Sequence, residues 1–429
     1  ELSSRIDSML RFLHTADLHL DSPLKGLQRY EGAPVQEIRS ATRRALDNIV
    51  QLAIHREVQV VVIAGDIFDG DWRDTHTGLF FSRQLTRLVE HGIRVAMIRG
   101  NHDAANRMTQ TLRLPEGVKL FGVDVPETID WGDLGIVIHG QSFADVAETR
   151  NLAMEYPAAV PGVFNLGLLH TSLTGSEGHD NYAPCTPDDL RRKEYQYWAL
   201  GHIHRRDDVT FRDPAIVYPG NPQGRHIRET GVKGCVIGEV ENMTLRSLEF
   251  VEVDVFRWER VEVDLSDCVD TEQMLQNVDE HLAAILNEHA PKPLAVRVEL
   301  AGNTTLHRSL AAKFQAWRQE VLNCGIQVGQ DRLWIEKVQL RTQDRDSETQ
   351  ESVGEGPLAE LWSEFARVQQ EEEVWPRITE AIEGLRKKLP TGTDQSLAWM
   401  DTADDGARAE FLQKVQALLA GRLLGADAT

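Results

Sequence analysis

Apolar runs that stop abruptly at polar residues dominate the first hundred positions. Residues 11–21 read Arg-Phe-Leu-His14-Thr-Ala-Asp17-Leu-His19-Leu-Asp21, residues 58–69 end Val-Ile-Ala-Gly65-Asp66-Ile-Phe-Asp69, and residues 93–103 end Ile-Arg-Gly100-Asn101-His102-Asp103. Short β-branched runs of this kind predict buried parallel strands. Between them, Val35, Ile38, Ala41, Ala45, Ile49 and Leu52 recur at helical spacing, as do Leu79, Phe80, Leu85, Leu88 and Val89 before a stop at Gly92. Strand, helix, strand, helix, strand implies right-handed crossovers and a largely parallel core. Further strands are expected at 134–139, 165–169, 197–200 and 215–218, then a hairpin of 234–240 and 244–253 turning at Glu241-Asn242. Residues 9 to about 255 thus form one sheet-rich domain.

The period changes beyond it. Segments 260–265, 294–300 and 333–340 alternate like half-exposed strands, with helical patterns at 271–288 and 306–322, so 256–342 is expected to be a small α/β cap. Residues 343–357 are polar and Gly/Pro-containing, as a linker is. Patterns at 358–370, 374–389 and 407–424 predict an amphipathic helical extension spanning 358–429. Residues 1–8 are set aside as a loose tail or cloning remnant.

At 429 residues the chain can hold two or three domains with real cores. No apolar run reaches the roughly 20 residues of a membrane span, and no signal-peptide pattern opens the sequence. Cys185, Cys235, Cys268 and Cys324 lack metal or disulfide spacing, which suits a reducing cytoplasm. The net charge of −21 argues against a generally sticky nucleic-acid binder. It leaves room for a polyanionic substrate, since bound divalent cations invert the local sign. From Asp346 onward, 17 Asp/Glu stand against 8 Lys/Arg, so about two fifths of the net charge sits in the last fifth of the chain.

The strand ends hold the chemistry. Open α/β sheets bind ligands beyond the carboxyl ends of their strands, and here Asp17-x-His19, Gly65-Asp66 and Gly100-Asn101-His102-Asp103 would share one crevice. His170 follows Leu-Gly-Leu-Leu, and Gly201-His202-Ile-His204 follows Trp-Ala-Leu. Oxygen and imidazole ligands without thiolate suit Mn²⁺, Fe²⁺ or Zn²⁺ better than Ca²⁺. Two metals about 4 Å apart need a bridging carboxylate, for which the central Asp66 is the natural candidate. Gly65 and Gly100 would permit sharp turns and close backbone approach.

Taken together, Asp17-x-His19, Gly65-Asp66-x-x-Asp69, Gly100-Asn101-His102-Asp103, His170 and Gly201-His202-x-His204 resemble the calcineurin-like metallophosphoesterase superfamily. The opening His-Thr-Ala-Asp-Leu-His-Leu-Asp, and Gly-His-Ile-His followed by Tyr-Pro-Gly-Asn-Pro, more narrowly resemble SbcD-type DNA-repair nucleases, nearest the bacterial YhaO-type exonucleases. The resemblance implies a layered α/β/β/α domain and two divalent ions, Mn²⁺ first, with Fe²⁺, Zn²⁺ or Mg²⁺ as alternatives. It implies that Asp17, His19, Asp66 and His204 hold metal one, and Asp66, Asn101, His170 and His202 metal two. It places His102 beside the scissile phosphate as proton donor or charge stabiliser. Archaeal and eukaryotic relatives resemble this pattern with a histidine where Asp69 stands.

Asp69 is expected to orient His102, with Asp103 a second candidate for the same task. The function this implies is a two-metal DNA phosphodiesterase, a repair exonuclease working with an SbcC-type coiled-coil ATPase and able to form a homodimer. Alternatives are a small-nucleotide phosphodiesterase or phosphatase on the same site, and a non-catalytic partner subunit. Arg205, Arg225 and His226 are candidate phosphate contacts, with Arg206 beside them. His14 reads as a core histidine or a support behind a ligand, and His139 as such a support. Trp72, Tyr182 and Trp198 read as core rather than base-stacking residues.

Overall fold

The structure is a computed structural model that describes residues 9–22, 24, 32–69, 75–104, 113–173, 182–210, 212, 214–345, 363–368, 371 and 374–386, with scattered positions between 408 and 419. Residues 1–8, Trp72, most of the expected linker and much of the helical extension lie outside the described residues. The chain divides into two compact units, one of 1–259 with 289–296, the other of 260–288 with 297–429.

The first unit holds two six-stranded sheets. The first sheet contains β1 (Leu10–Thr15), β2 (Val60–Ala64), β3 (Arg94–Ile98), β4 (Val118–Leu120), β11 (Gly234–Glu241) and β12 (Thr244–Glu252), in the order β12-β11-β1-β2-β3-β4. Its centre is parallel, with Val62 opposite His14 and Ala96, while β11 and β12 form the expected antiparallel hairpin. The second contains β5 (Glu127–Trp131), β6 (Ile136–Gly140), β7 (Phe164–His170), β8 (Tyr197–Gly201), β9 (Asp207–Thr210) and β10 (Ala215–Tyr218), in the order β5-β6-β7-β8-β10-β9.

Side-chain alternation decides how the layers stack. On β1 and β2, Phe12, Val60, Val62 and Ala64 pack with Ile138, Leu166, Leu168 and Ala199 of the second sheet, making a core between the sheets. Their neighbours Leu13, Val61 and Ile63 face the other way, onto Ile49, Val50, Phe81 and Leu85. Those residues come from α1 (Val35–His55) and α2 (Thr75–Glu90), whose periodic apolar stripes thus find the face they were patterned for. The outer face of the second sheet buries Trp198, Leu200 and Ile216 with Leu152, Tyr156 and Leu190, the last from a short helix, Pro187–Arg191. Both sheets are covered on both faces, which is why their central strands read as continuous apolar runs.

Later in the chain, β13 (Arg257–Asp264), β14 (Leu294–Thr304) and β15 (Leu333–Asp344) form a three-stranded sheet. Helices Thr271–Glu288, His307–Ala312 and Phe314–Gly329 accompany it. Of the C-terminal extension, 363–368 and Trp375–Arg386 are helical. Among the described residues no helix is long and apolar enough to cross a membrane. All four cysteines are free and buried.

Candidate metal centre

Beyond the ends of β1 and β2 the chain keeps running in register. Asp17 N donates to Gly65 O at 3.0 Å, His19 N to Asp66 O at 3.0 Å and Leu20 N to Ile67 O at 3.0 Å. Within this pairing Asp17 (φ 53°), His19 (φ 41°) and Asp66 (φ 51°) adopt left-handed conformations, as does His202 (φ 103°) after β8. Asp and His tolerate that region better than most residues, and such strain collects at functional sites. The turns swing carboxylates and imidazoles inward that an extended strand would point alternately up and down.

Carboxylates then lace the loops together. Asp17 accepts from His202 N at 3.0 Å, tying the first loop to the second sheet. Asp66 Oδ1 accepts from His102 N at 3.0 Å. Asp103 accepts from the amides of Ile67, Phe68 and Gly100 at 3.0–3.1 Å. It therefore clamps the loops after β2 and β3, while the contact to the His102 ring at Nδ1 comes from Asp69. Burial, then the charge of Asp66, raises its carboxyl to about 7 despite these bonds. Gly201 lets the sheets meet here: a Cβ on it would strike Ala64 O and lie 2.8 Å from His170 Nδ1.

Three overlapping clusters result, each with ligand atoms within 4.8 Å of one another: Asp17, His19 and His204; Asp17, Asp66 and His170; His19, Asp69 and His102. His170 Nδ1 donates to Ala64 O at 2.8 Å, so its Nε2 faces Asp66 Oδ2 at 3.4 Å and Asn101 Oδ1 at 3.0 Å. His202 stands edge-on to His170, ring centres 5.3 Å apart. His19 Nε2 and His204 Nε2 face each other at 3.1 Å, with Asp66 Oδ2 3.8 Å from the former. His102 Nδ1 donates to Asp69 Oδ1 at 2.8 Å, and Ser22 Oγ donates to Asp69 Oδ2 at 2.5 Å. His102, 38% exposed, is the open member of the group, whereas His19, Asp66 and His170 are sealed.

This donor set suits divalent cations. Imidazole nitrogens and carboxylate oxygens gathered this closely favour positive charge among them. His19 Nδ1 is also buried without a hydrogen-bond partner. The protonation pattern says the same. Burial favours neutral groups, but His170 outweighs it at Asp66 and holds that carboxylate well below its usual range. Burial would lower His170, yet Asp66 lifts it to about 9. A proton on His170 supplies the positive charge that these oxygens demand.

Behind His204 stands a residue that sequence reading missed. Glu229 Oε1 lies 2.7 Å from His204 Nδ1, and Glu229 also binds Arg225 and Asn221. The sequence signal was a bare Arg225…Glu229 pair four residues apart in an unstructured stretch, and burial of the glutamate is not visible there. Arg225, expected to face phosphate, is mostly enclosed and pairs with Glu229 (2.9 Å) and Asp69 (3.6 Å). His226 is half exposed, 3.8 Å from Glu229, and Arg205 is exposed. Arg206 pairs with Asp208 at 2.7 Å.

The remaining histidines and aromatics sort by their contacts. His14 bridges the sheets, bonding Tyr197 Oη at 3.0 Å and Leu200 O at 3.1 Å. His139 bonds Thr128 and Asn165 and stacks on Tyr195, so it supports no residue of the centre. Trp198 is core, donating to Leu190 O. Tyr182, half-buried, stands edge-on to the His202 ring at 5.4 Å.

Comparison with known proteins bears on this site. Residues 10–206 match the calcineurin-like phosphoesterase family model, and residues 258–343 match the middle domain of metallophosphoesterase YhaO. The chain is 36% identical over 296 residues to the uncharacterized metallophosphoesterase YhaO of Bacillus subtilis, covering 68% of this chain and 72% of that one. It is 24% identical over 384 residues to the DNA double-strand break repair protein Mre11 of Methanopyrus kandleri, covering 81% and 74% respectively. A dimetal phosphatase from Danio rerio aligns over 54% of this chain and 93% of its own, with a TM-score of 0.35 and 13% identity, too loose a likeness to build on.

Proposed function

Because the chain belongs to the calcineurin-like metallophosphoesterases, in the branch of YhaO, we propose that it hydrolyses DNA phosphodiesters at a two-metal centre as a repair exonuclease. The observation that carries the reading is the convergence of carboxylates and imidazoles from both sheets beside one open His102–Asp69 pair. Metal one would take Asp17, His19, Asp66 and His204. Metal two would take Asp66, Asn101, His170 and His202. Bound, the two cations supply positive charge at the phosphate and lower the pKa of an attacking water.

The chain's own residues do the rest. Asp69 accepts from His102 Nδ1–H, which leaves Nε2 to face the reacting phosphate. A proton held at Nε2 goes to the departing oxygen, so that no bare alkoxide has to leave. Double-strand-break repair is in the name of a relative matching four fifths of the chain, and this favours DNA over small esters as substrate. Mn²⁺ as the working ion, an SbcC-type coiled-coil ATPase as partner and a homodimer complete the proposal. The acidic C-terminal helices are the segment proposed to dock the partner.

The decisive experiment compares nucleotide release from linear duplex DNA with hydrolysis of a chromogenic phosphodiester, in Mn²⁺, in Mg²⁺ and in EDTA. Mn²⁺-stimulated release from duplex ends, abolished by EDTA, is the expected result. Turnover of only the small ester would remove the nuclease reading and keep the phosphoesterase.

A further inference from the structure

The pair behind His204 joins both halves of the centre. Glu229 is nearly sealed, its side chain 5% exposed, and Arg225 is 11% exposed. A carboxylate only accepts, so the 2.7 Å contact to Glu229 puts the His204 proton on Nδ1 and bares Nε2 toward His19. Arg225 Nη2 lies farther from the same nitrogen, at 3.3 Å, and a protonated Nδ1 cannot accept from it. Arg225 is instead locked to Glu229 by its amide (2.8 Å) and by Nη2 (2.9 Å), and its Nη1 reaches Asp69 Oδ2 at 3.6 Å. Asp69 in turn holds His102.

We propose that Glu229 and Arg225 are a positioning pair for this centre: Glu229 fixes His204 as a ligand, and Arg225 links that support to Asp69 behind His102. Neither touches the reacting phosphate. The inference rests on the metal-centre reading above. It assigns Arg225 to supporting the site where an open arginine would grip the substrate. Carboxylates that fix ligating imidazoles typically govern metal affinity by about 10–100-fold.

The test is calorimetric titration of Mn²⁺ into the metal-stripped full chain, for wild type, Glu229→Gln, His204→Ala and the double variant, with circular dichroism as the fold control. Glu229→Gln is expected to weaken binding by about 10–100-fold, and to add nothing once His204 is alanine. Wild-type affinity in Glu229→Gln, or a penalty undiminished in the double variant, overturns the positioning role while a weakened His204→Ala leaves the metal centre standing. Failure of wild type to bind Mn²⁺, or unaltered binding by His204→Ala, overturns the metal centre and this inference together. Should Glu229→Gln unfold, Glu229→Asp, which keeps the charge but draws it back from His204, is read the same way.

Discussion

At the scale of single residues, the site sets sealed carboxylates and imidazoles beside one open imidazole. His102 is the exposed imidazole, and its ring contacts Asp69. Replacing it with alanine is expected to lower kcat by about 10²–10⁴-fold, the usual cost of a lost general acid, with Mn²⁺ stoichiometry by calorimetry unchanged. Loss of metal in that variant would make His102 a ligand instead. His14 makes a different prediction, for stability. Burial between the sheets lowers its pKa from 6.5 to about 3, partly resisted by the Leu200 carbonyl. The unfolded chain therefore takes up this proton near pH 6.5 and the folded chain only near pH 3, so stability falls as pH drops through that window. By pH 5 the loss is about 2 kcal/mol at 1.36 kcal/mol per pH unit. His14→Gln should flatten this acid limb in urea titrations run from pH 7 to 4; an unchanged slope would assign the acid sensitivity to other groups.

Elements matter here by where they end. The parallel strands β1, β2, β3, β7 and β8 deliver their following loops to one edge, and two chain features close the gap between the sheets. One is the left-handed run at Asp17, His19 and Asp66; the other is Gly201, at the end of β8. Gly201→Ala would push β8 off Ala64 O of the first sheet and crowd the neighbouring His170 ring of its own sheet. The expected cost is about 1–3 kcal/mol, the range of overpacking, read as a lower Tm together with weakened Mn²⁺ binding. Wild-type binding in that variant would show that the sheets need not meet so closely. The long strands and the long helices α1, α2 and Thr271–Glu288 were legible because their apolar periods are unbroken. Short β4, β5 and β9 were not, since three to five residues carry too little periodicity to stand out.

For the molecule as a whole, charge sets the terms on which the proposed DNA substrate would bind. A net charge of −21 disfavours broad contact with a phosphate backbone, and divalent ions at the proposed centre would offset part of the repulsion. Duplex affinity in EDTA is expected to be weak, with a log K versus log salt slope below about 3 in magnitude, and to rise with Mn²⁺. A steep slope without metal would point to a basic track that the net charge conceals. By itself the sequence determined the strands and helices, the order of the site motifs and the residue types offered to a metal, because hydrophobic period and ligand chemistry are local properties. Only the tertiary structure decided that the strands divide into two stacked sheets, that Asp103 clamps backbone, that Arg225 pairs with Glu229 and Asp69, and that Glu229 stands behind His204. Those facts depend on which face of one segment meets which face of another, distant in the chain, and burial of that kind leaves no mark on the neighbouring letters.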